Sequence, residues 1–153
     1  METKTLRAID FCRTDMITAD EHASLYEISK LMREHHIGDV VITRSDNSHR
    51  QPIGVITDRD IVVHGIACDV DLEDVTAGDL SKQDLVTVAE SADIFEIART
   101  MNEYGVRRVL VKADSNYKGI ITLDDVLWAL SIIVSNLGAV PERQIQHEAH
   151  AEV

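Results

Sequence analysis

A shift of 69 positions lays the first half of this sequence on the second, which confines the chain to folds that a duplicated unit can build. Under that shift Asp10, Asp15, Thr18, Glu21, Ala23 and Glu27 meet Asp79, Asp84, Thr87, Glu90, Ala92 and Glu96. Ile28, Met32, Glu34 and Val40 likewise meet Ile97, Met101, Glu103 and Val109. Beyond the segment Ser45 to Pro52, which is four residues longer in the first copy, the shift becomes 65 and pairs Gly54, Ile56, Thr57 and Asp60 with Gly119, Ile121, Thr122 and Asp125. A single gap in a polar turn is what drift in a surface loop leaves behind. The repeats are expected over 6–69 and 75–137, joined by an acidic stretch from Asp69 to Asp74, with residues 138–153 as a flexible C-terminal tail. Units of this size are marginal alone, so the two are expected to pack as one pseudo-symmetric body.

Each copy reads as short strand, helix, strand, strand, helix, which makes the fold class mixed α+β. The first helix carries Leu25, Ile28, Leu31 and Met32 in one copy and Ile94, Ile97, Ala98 and Met101 in the other, the spacing of one buried face. Ser24 with Glu27, and Asp93 with Glu96, supply start signals of the capping-box kind. Val40-Val41-Ile42 and Val109-Leu110-Val111 are short apolar runs rich in β-branched residues, as expected of buried strands. A polar turn follows each, then a second strand, then a helix that starts directly after a threonine.

The segment at that junction is Gly54-Val55-Ile56-Thr57-Asp58-Arg59-Asp60 in the first copy and Gly119-Ile120-Ile121-Thr122-Leu123-Asp124-Asp125 in the second. Glycine, three residues ending in threonine, then aspartate three further on, present twice in matching contexts, resembles the cystathionine-β-synthase-type (CBS) repeat family over nearly the whole chain. The resemblance implies two repeats of β-α-β-β-α order packed as one disc-like module, with two clefts that take adenosine-containing ligands.

In such modules the threonine and aspartate contact the ribose, which assigns Thr57 with Asp60 and Thr122 with Asp125. Carboxylate oxygens can accept from both ribose hydroxyls, and a threonine hydroxyl both donates and accepts. The same Thr-x-x-Asp is also a helix capping box that needs no ligand, and the two roles can coexist. By analogy, Ile17, Thr18 and Ile37 would line one adenine slot, and Val86, Thr87 and Val106 the other; each is equally readable as ordinary core. Arg107 resembles the arginine at the entry of the second strand and is the first phosphate candidate, with Arg59 the second; either reads also as a solvated surface charge. Gly38-Asp39 stands where the second copy has Arg107-Arg108, so Asp39 should repel a phosphate unless a metal ion intervenes, and the two clefts are expected to be unequal. The expected ligand is AMP, ATP or an NAD-type dinucleotide, with or without magnesium, acting as a regulatory effector with no obligatory cofactor.

Charge and composition remove other classes. A formal net charge of −12 disfavours nucleic acid and membrane surfaces as partners. No apolar run of about 18 residues is present, and a cytoplasmic location is expected. Cys12 and Cys68 make neither a disulfide framework nor a CxxC motif. His35 and His36 point about 100° apart on a helix, and His147 with His150 stand in the tail, so no metal site is expected. No nucleophile elbow or Walker loop occurs, and the chain is expected not to be an enzyme. The run from Val126 to Val134 is apolar on more sides than a surface helix requires, and in the resembled family such helices meet a second module. A homodimer is therefore expected, either as a nucleotide sensor that regulates a partner protein or as a scaffold with vestigial clefts.

Overall fold

The first long helix of each repeat begins where its capping residue stands. The Ser24 Oγ accepts from the Glu27 N–H at 3.1 Å while the Glu27 carboxylate accepts from the Ser24 N–H at 2.9 Å, and Asp93 caps the second helix through the Glu96 N–H at 2.9 Å. Both helices run 11 residues and end in a left-handed residue, His36 at φ 54° and Gly105 at φ 63°. The computed structural model describes residues 6–46, 49–81, 85–141, 143 and 144. Its elements are α1 (Ala8–Phe11), β1 (Thr18–Asp20), α2 (Leu25–His35), β2 (Asp39–Asp46), β3 (His49–Thr57) and α3 (Asp58–Asp60), then α4 (Ala77–Leu80), β4 (Thr87–Ala89), α5 (Ile94–Tyr104), β5 (Arg108–Ala113), β6 (Asn116–Thr122) and α6 (Leu123–Gly138). Two three-stranded sheets result, β1-β2-β3 and β4-β5-β6, each with a parallel first pair and an antiparallel second pair. The fold is the α+β pair of repeats expected.

Alternation along the central strands explains why they read as unbroken apolar runs. Val40 and Ile42 face the core of the first repeat with Leu25, Ile28 and Met32, whereas Val41 points the other way. Val109 and Val111 face the second core with Ile97 and Met101, and Leu110 points out of it to meet Val41 and Ile120. The seam between the sheets thus closes on the backs of both central strands. Of the residues expected on the buried helix faces, Leu31 is half-buried and Ala98 is exposed; Met101 and Ile94 fill that side of α5, leaving Ala98 outside their stripe.

The lead-in segments are exchanged between the repeats. Ala8 is fully buried in the second core, its N–H donating to the Ala92 carbonyl at 2.8 Å, and Arg13 pairs with the edge of β6 at Ile120. Ala77, at the equivalent position, is buried in the first core and donates to the Ala23 carbonyl at 2.7 Å. Both lead-ins form helical turns, α1 and α4, that precede the short strands β1 and β4. Each core is completed by the other repeat's lead-in, so neither repeat's core is built by its own residues alone.

The last helices differ. In the second repeat α6 is continuous for 16 residues, and in the first α3 passes into a π-turn (Ile61–Gly65) and a 3₁₀ turn (Ile66–Cys68). Gly65 admits the Leu72 side chain, whose Cδ2 lies 2.6 Å from where a Cβ would stand. Helical geometry also extends past α6 to Val140, Pro141, Arg143 and Gln144, with the Arg143 N–H donating to Ala139 at 3.3 Å, so this part of the expected flexible tail is helical. Residues 145–153, with His147 and His150, lie outside the described residues.

Two glycines test this packing with opposite signs. A Cβ at Gly119 would stand 2.5 Å from the Arg13 carbonyl oxygen, whereas one at Gly138 meets nothing within 4 Å. Gly119→Ala is expected to destabilise by about 1–3 kcal/mol through overpacking against backbone. Gly138→Ala is expected to stabilise by about 0.5–1 kcal/mol through lower unfolded-state entropy. Chemical denaturation of the two variants checks both signs.

Candidate functional site

Where the seam opens beside Val106 and Arg107, the two repeats enclose a cleft of about 280 Å³. One wall is the end of β3 and the turn after it, with Thr57, Asp60 and His64. The other comes from the second repeat, with Ser81, Leu85, Val86, Val106 and the Arg107-Arg108 pair. The site is therefore composite: the Thr-x-x-Asp of one repeat faces the apolar slot and the arginines of the other. At the pseudo-symmetric position, Ile17, Ile37, Asp39 and Val41 line a space of only about 20 Å³.

Both Thr-x-x-Asp segments are capping boxes. The Thr57 Oγ1 accepts from the Asp60 N–H at 3.2 Å, while the Asp60 Oδ2 accepts from the Thr57 N–H at 2.8 Å and its hydroxyl at 2.7 Å. Thr122 and Asp125 repeat this at 3.2, 2.7 and 2.6 Å. All of these bonds to Asp60 use Oδ2, and among the described residues Oδ1 has no hydrogen-bond partner. Capping occupies one oxygen of a carboxylate whose residue lines the cleft. Asp125 differs because the Arg13 guanidinium lies 3.6 Å from its Oδ2, on the lip of the closed cleft.

Asp39 does not stand as an isolated repelling charge. Its Oδ2 accepts from the Arg108 Nε at 2.7 Å, and both side chains are largely buried. Asp39 and Arg108 are 69 positions apart, so each is the other's repeat equivalent. A residue that touches its own equivalent sits on the pseudo-twofold axis. Two identical charges could not meet there, and opposite ones bind the repeats together. The pair lies between the clefts, with Arg108 on the wall of the open one and Asp39 on the wall of the closed one.

The structure thus gathers Thr57, Asp60, Val86, Val106 and Arg107 in the open cleft. Ile17 and Ile37 stand together at the closed one, and Thr122 is buried at the start of α6 beside Asp125. Thr18, Thr87 and Arg59 are exposed and line neither space. Three polar residues of the open cleft lie outside the predicted ligand set: Arg108, His64 and Ser81. Arg108 was legible as the second of two arginines facing Gly38-Asp39. His64 reaches the wall from the π-turn, which carries no sequence signal. Ser81 arrives only because the lead-ins are exchanged.

Among the described residues, no group of three or more His, Cys, Asp or Glu side chains is placed to hold a metal ion, and no helix is long and apolar enough to cross a membrane. The clearest perturbed group near the seam is Cys12, whose thiol pKa is raised by burial.

Comparison with known proteins agrees with this architecture. The CBS domain family model matches residues 8–65 and again 77–132. An uncharacterised protein of Methanopyrus kandleri is 35% identical over 130 residues, covering 84% of this chain and 64% of that protein. Hypoxic response protein 1 of Mycobacterium tuberculosis is 35% identical over 119 residues, covering 78% of this chain and 81% of the relative. The crystal structure of Hypoxic Response Protein I, with two coordinated zinc ions, superposes with a TM-score of 0.69 over 80% of this chain and 98% of that one, at 34% identity. A CBS domain protein from Pyrobaculum aerophilum complexed with AMP gives a TM-score of 0.70 over 83% of this chain and 99% of that one, at 21% identity, a likeness of fold. With both of its repeats matched and a shared seam between them, this chain belongs to the CBS-domain family.

Proposed function

We propose that the open cleft binds one adenosine mononucleotide of the AMP class per chain, and that the protein works as a regulatory sensor rather than as an enzyme. The observation that carries this reading is the composite cleft, which sets a ribose acceptor, an apolar slot and two arginines around one space of about 280 Å³. That volume is near the lower end of small-ligand sites and suits a mononucleotide better than a dinucleotide. Asp60 is assigned to the ribose hydroxyls through its Oδ1, Val86 and Val106 to the faces of the base, and Arg107 to the phosphate with Arg108 behind it. An AMP complex of a protein with the same fold supports the ligand class. Thr122 and Asp125 are assigned to capping alone, because the equivalent space beside the second repeat's cap is only about 20 Å³ and neither residue lines it. The assembled groups bind and orient; ribose acceptors and phosphate cations do not supply a nucleophile with its base.

Variants separate the roles by calorimetry. Arg107→Ala is expected to weaken AMP about tenfold or more and adenosine little, since only AMP presents a phosphate to a guanidinium. Asp60→Asn is expected to weaken both ligands by about tenfold. Asp125→Asn, in the second repeat's helix cap, is expected to leave both affinities unchanged. Equal affinities in all three variants would reduce the Thr-x-x-Asp pairs to helix caps.

The same reading includes a homodimer. Phe95 on α5 is 80% exposed and its repeat equivalent Tyr26 on α2 is 45% exposed, while Leu127 and Trp128 of α6 and their equivalents Val62 and Val63 are also open to solvent. Each repeat thus offers the same apolar helix face, a surface that a second copy of the chain can cover with twofold symmetry. Light scattering at tens of micromolar is expected to give twice the chain mass, as a dissociation constant of about 1 μM or tighter requires. Phe95→Glu and Ile133→Glu are expected to give monomers with unchanged far-ultraviolet circular dichroism, because both positions are already exposed within the chain. A parent protein that is monomeric at that concentration contradicts this part.

A further inference from the structure

A buried hydroxyl without a partner destabilises the fold relative to a satisfied one, and each such group in a native structure calls for an explanation. Among the described residues one side-chain polar atom is in this state, the Oγ of Ser81. Ser81 itself stands on the wall of the open cleft beside Leu80, Leu85 and Val86, with its Oγ turned toward Gly54 and closed off from solvent. The seat is tight: Gly54 of β3 faces it, and a Cβ there would lie 2.6 Å from the Ser81 Cβ and 2.8 Å from its Oγ.

The repeat equivalent of Ser81 is Cys12, and the two seats are alike in shape and opposite in chemistry. Cys12 packs on Gly119 as Ser81 packs on Gly54, with its Sγ 2.9 Å from where a Cβ would stand. Its thiol, a weak donor, is turned to the Ile9 carbonyl at 4.0 Å. The seat on Gly119 therefore holds a weakly polar group with an internal partner, and the seat on Gly54 holds a full-strength donor and acceptor without one.

Register gives the open cleft a direction. Thr57 lies three residues along β3 from Gly54, a distance of about 10 Å at strand rise, and Thr57 pairs in register with Asp39, which holds Arg108. The cationic end of the cleft is thus at Thr57 and the Ser81 end is remote from it, as the two ends of a mononucleotide are. We propose that Ser81 is a base-recognition residue, its Oγ rotating about χ1 from its seat on Gly54 into the cleft to exchange a hydrogen bond with the edge of the bound heterocycle. A hydroxyl can donate to a ring nitrogen or accept from an exocyclic amine. This inference rests on the reading of the cleft as a nucleotide site and adds that the ligand-free protein carries a stability cost which the base relieves.

The test is Ser81→Ala, read in two ways that a purely structural serine would not satisfy together. Without ligand the variant is expected to melt about 2–4 °C higher, because the unpaired hydroxyl is gone. With ligand it is expected to bind AMP and adenosine about fivefold to tenfold more weakly and by the same factor, while ribose 5-phosphate, which has no base, binds parent and variant equally. Unchanged affinity for AMP and adenosine overturns the inference, as does an equal loss with ribose 5-phosphate, which would place the effect in the shape of the cleft. A ligand-free melting temperature that does not rise also overturns it. If the parent binds none of the three probes, the reading of the cleft fails first and the inference falls with it.

Discussion

Both faces of β2 and β5 have to be buried at once, and the rest of the structure follows from that requirement. A three-stranded sheet with one helical layer covers only one face, so Val41 and Leu110 would be left in water on the other. Bringing two repeats back to back removes both apolar strips from water at about 25 cal/mol per Å². The exchange of lead-ins, with Ala8 in the second core and Ala77 in the first, makes that arrangement hard to undo one repeat at a time. Duplication here is a condition for folding before it is a condition for function.

Seam and site are the same place. Where the backs of the sheets diverge, the ends of β3 and β6 and the starts of β2 and β5 leave room, once on each side of the pseudo-twofold axis. A perfectly symmetric chain would have two equal clefts. Among the side chains that break that symmetry are Arg107 against Gly38, Arg108 against Asp39, and Ser81 against Cys12. The pair on the axis is informative because an acid in one copy and a base in the other become an ion pair in the folded chain, at 2.7 Å. The substitutions that differentiate the clefts thus also join the repeats.

Much of this was legible in the sequence, and for identifiable reasons. Repetition, strand alternation and capping signals are local and periodic, so helices α2 and α5, both sheets and the junction at Thr57 and Thr122 could be read directly. Ala98 was misplaced because a small apolar residue fits the buried stripe or its border equally well. The relation between Thr57 and Val86, which come from different repeats, depends on the packing of the halves, and nothing in a one-dimensional pattern encodes it. Asp39 illustrates the same gap: alone it reads as a charge hostile to phosphate, and its meaning changes only when Arg108 is placed against it. The π-turn that brings His64 to the wall depends on Leu72 entering at Gly65, a contact made by the connector.

The account holds that one of two equivalent-looking clefts is open and that it takes an adenosine nucleotide. Calorimetric titration of the purified protein with AMP measures this directly through its stoichiometry. One nucleotide per chain, with a single class of site, is the predicted result. Two equivalent nucleotides per chain, or no heat of binding at millimolar AMP, would contradict it.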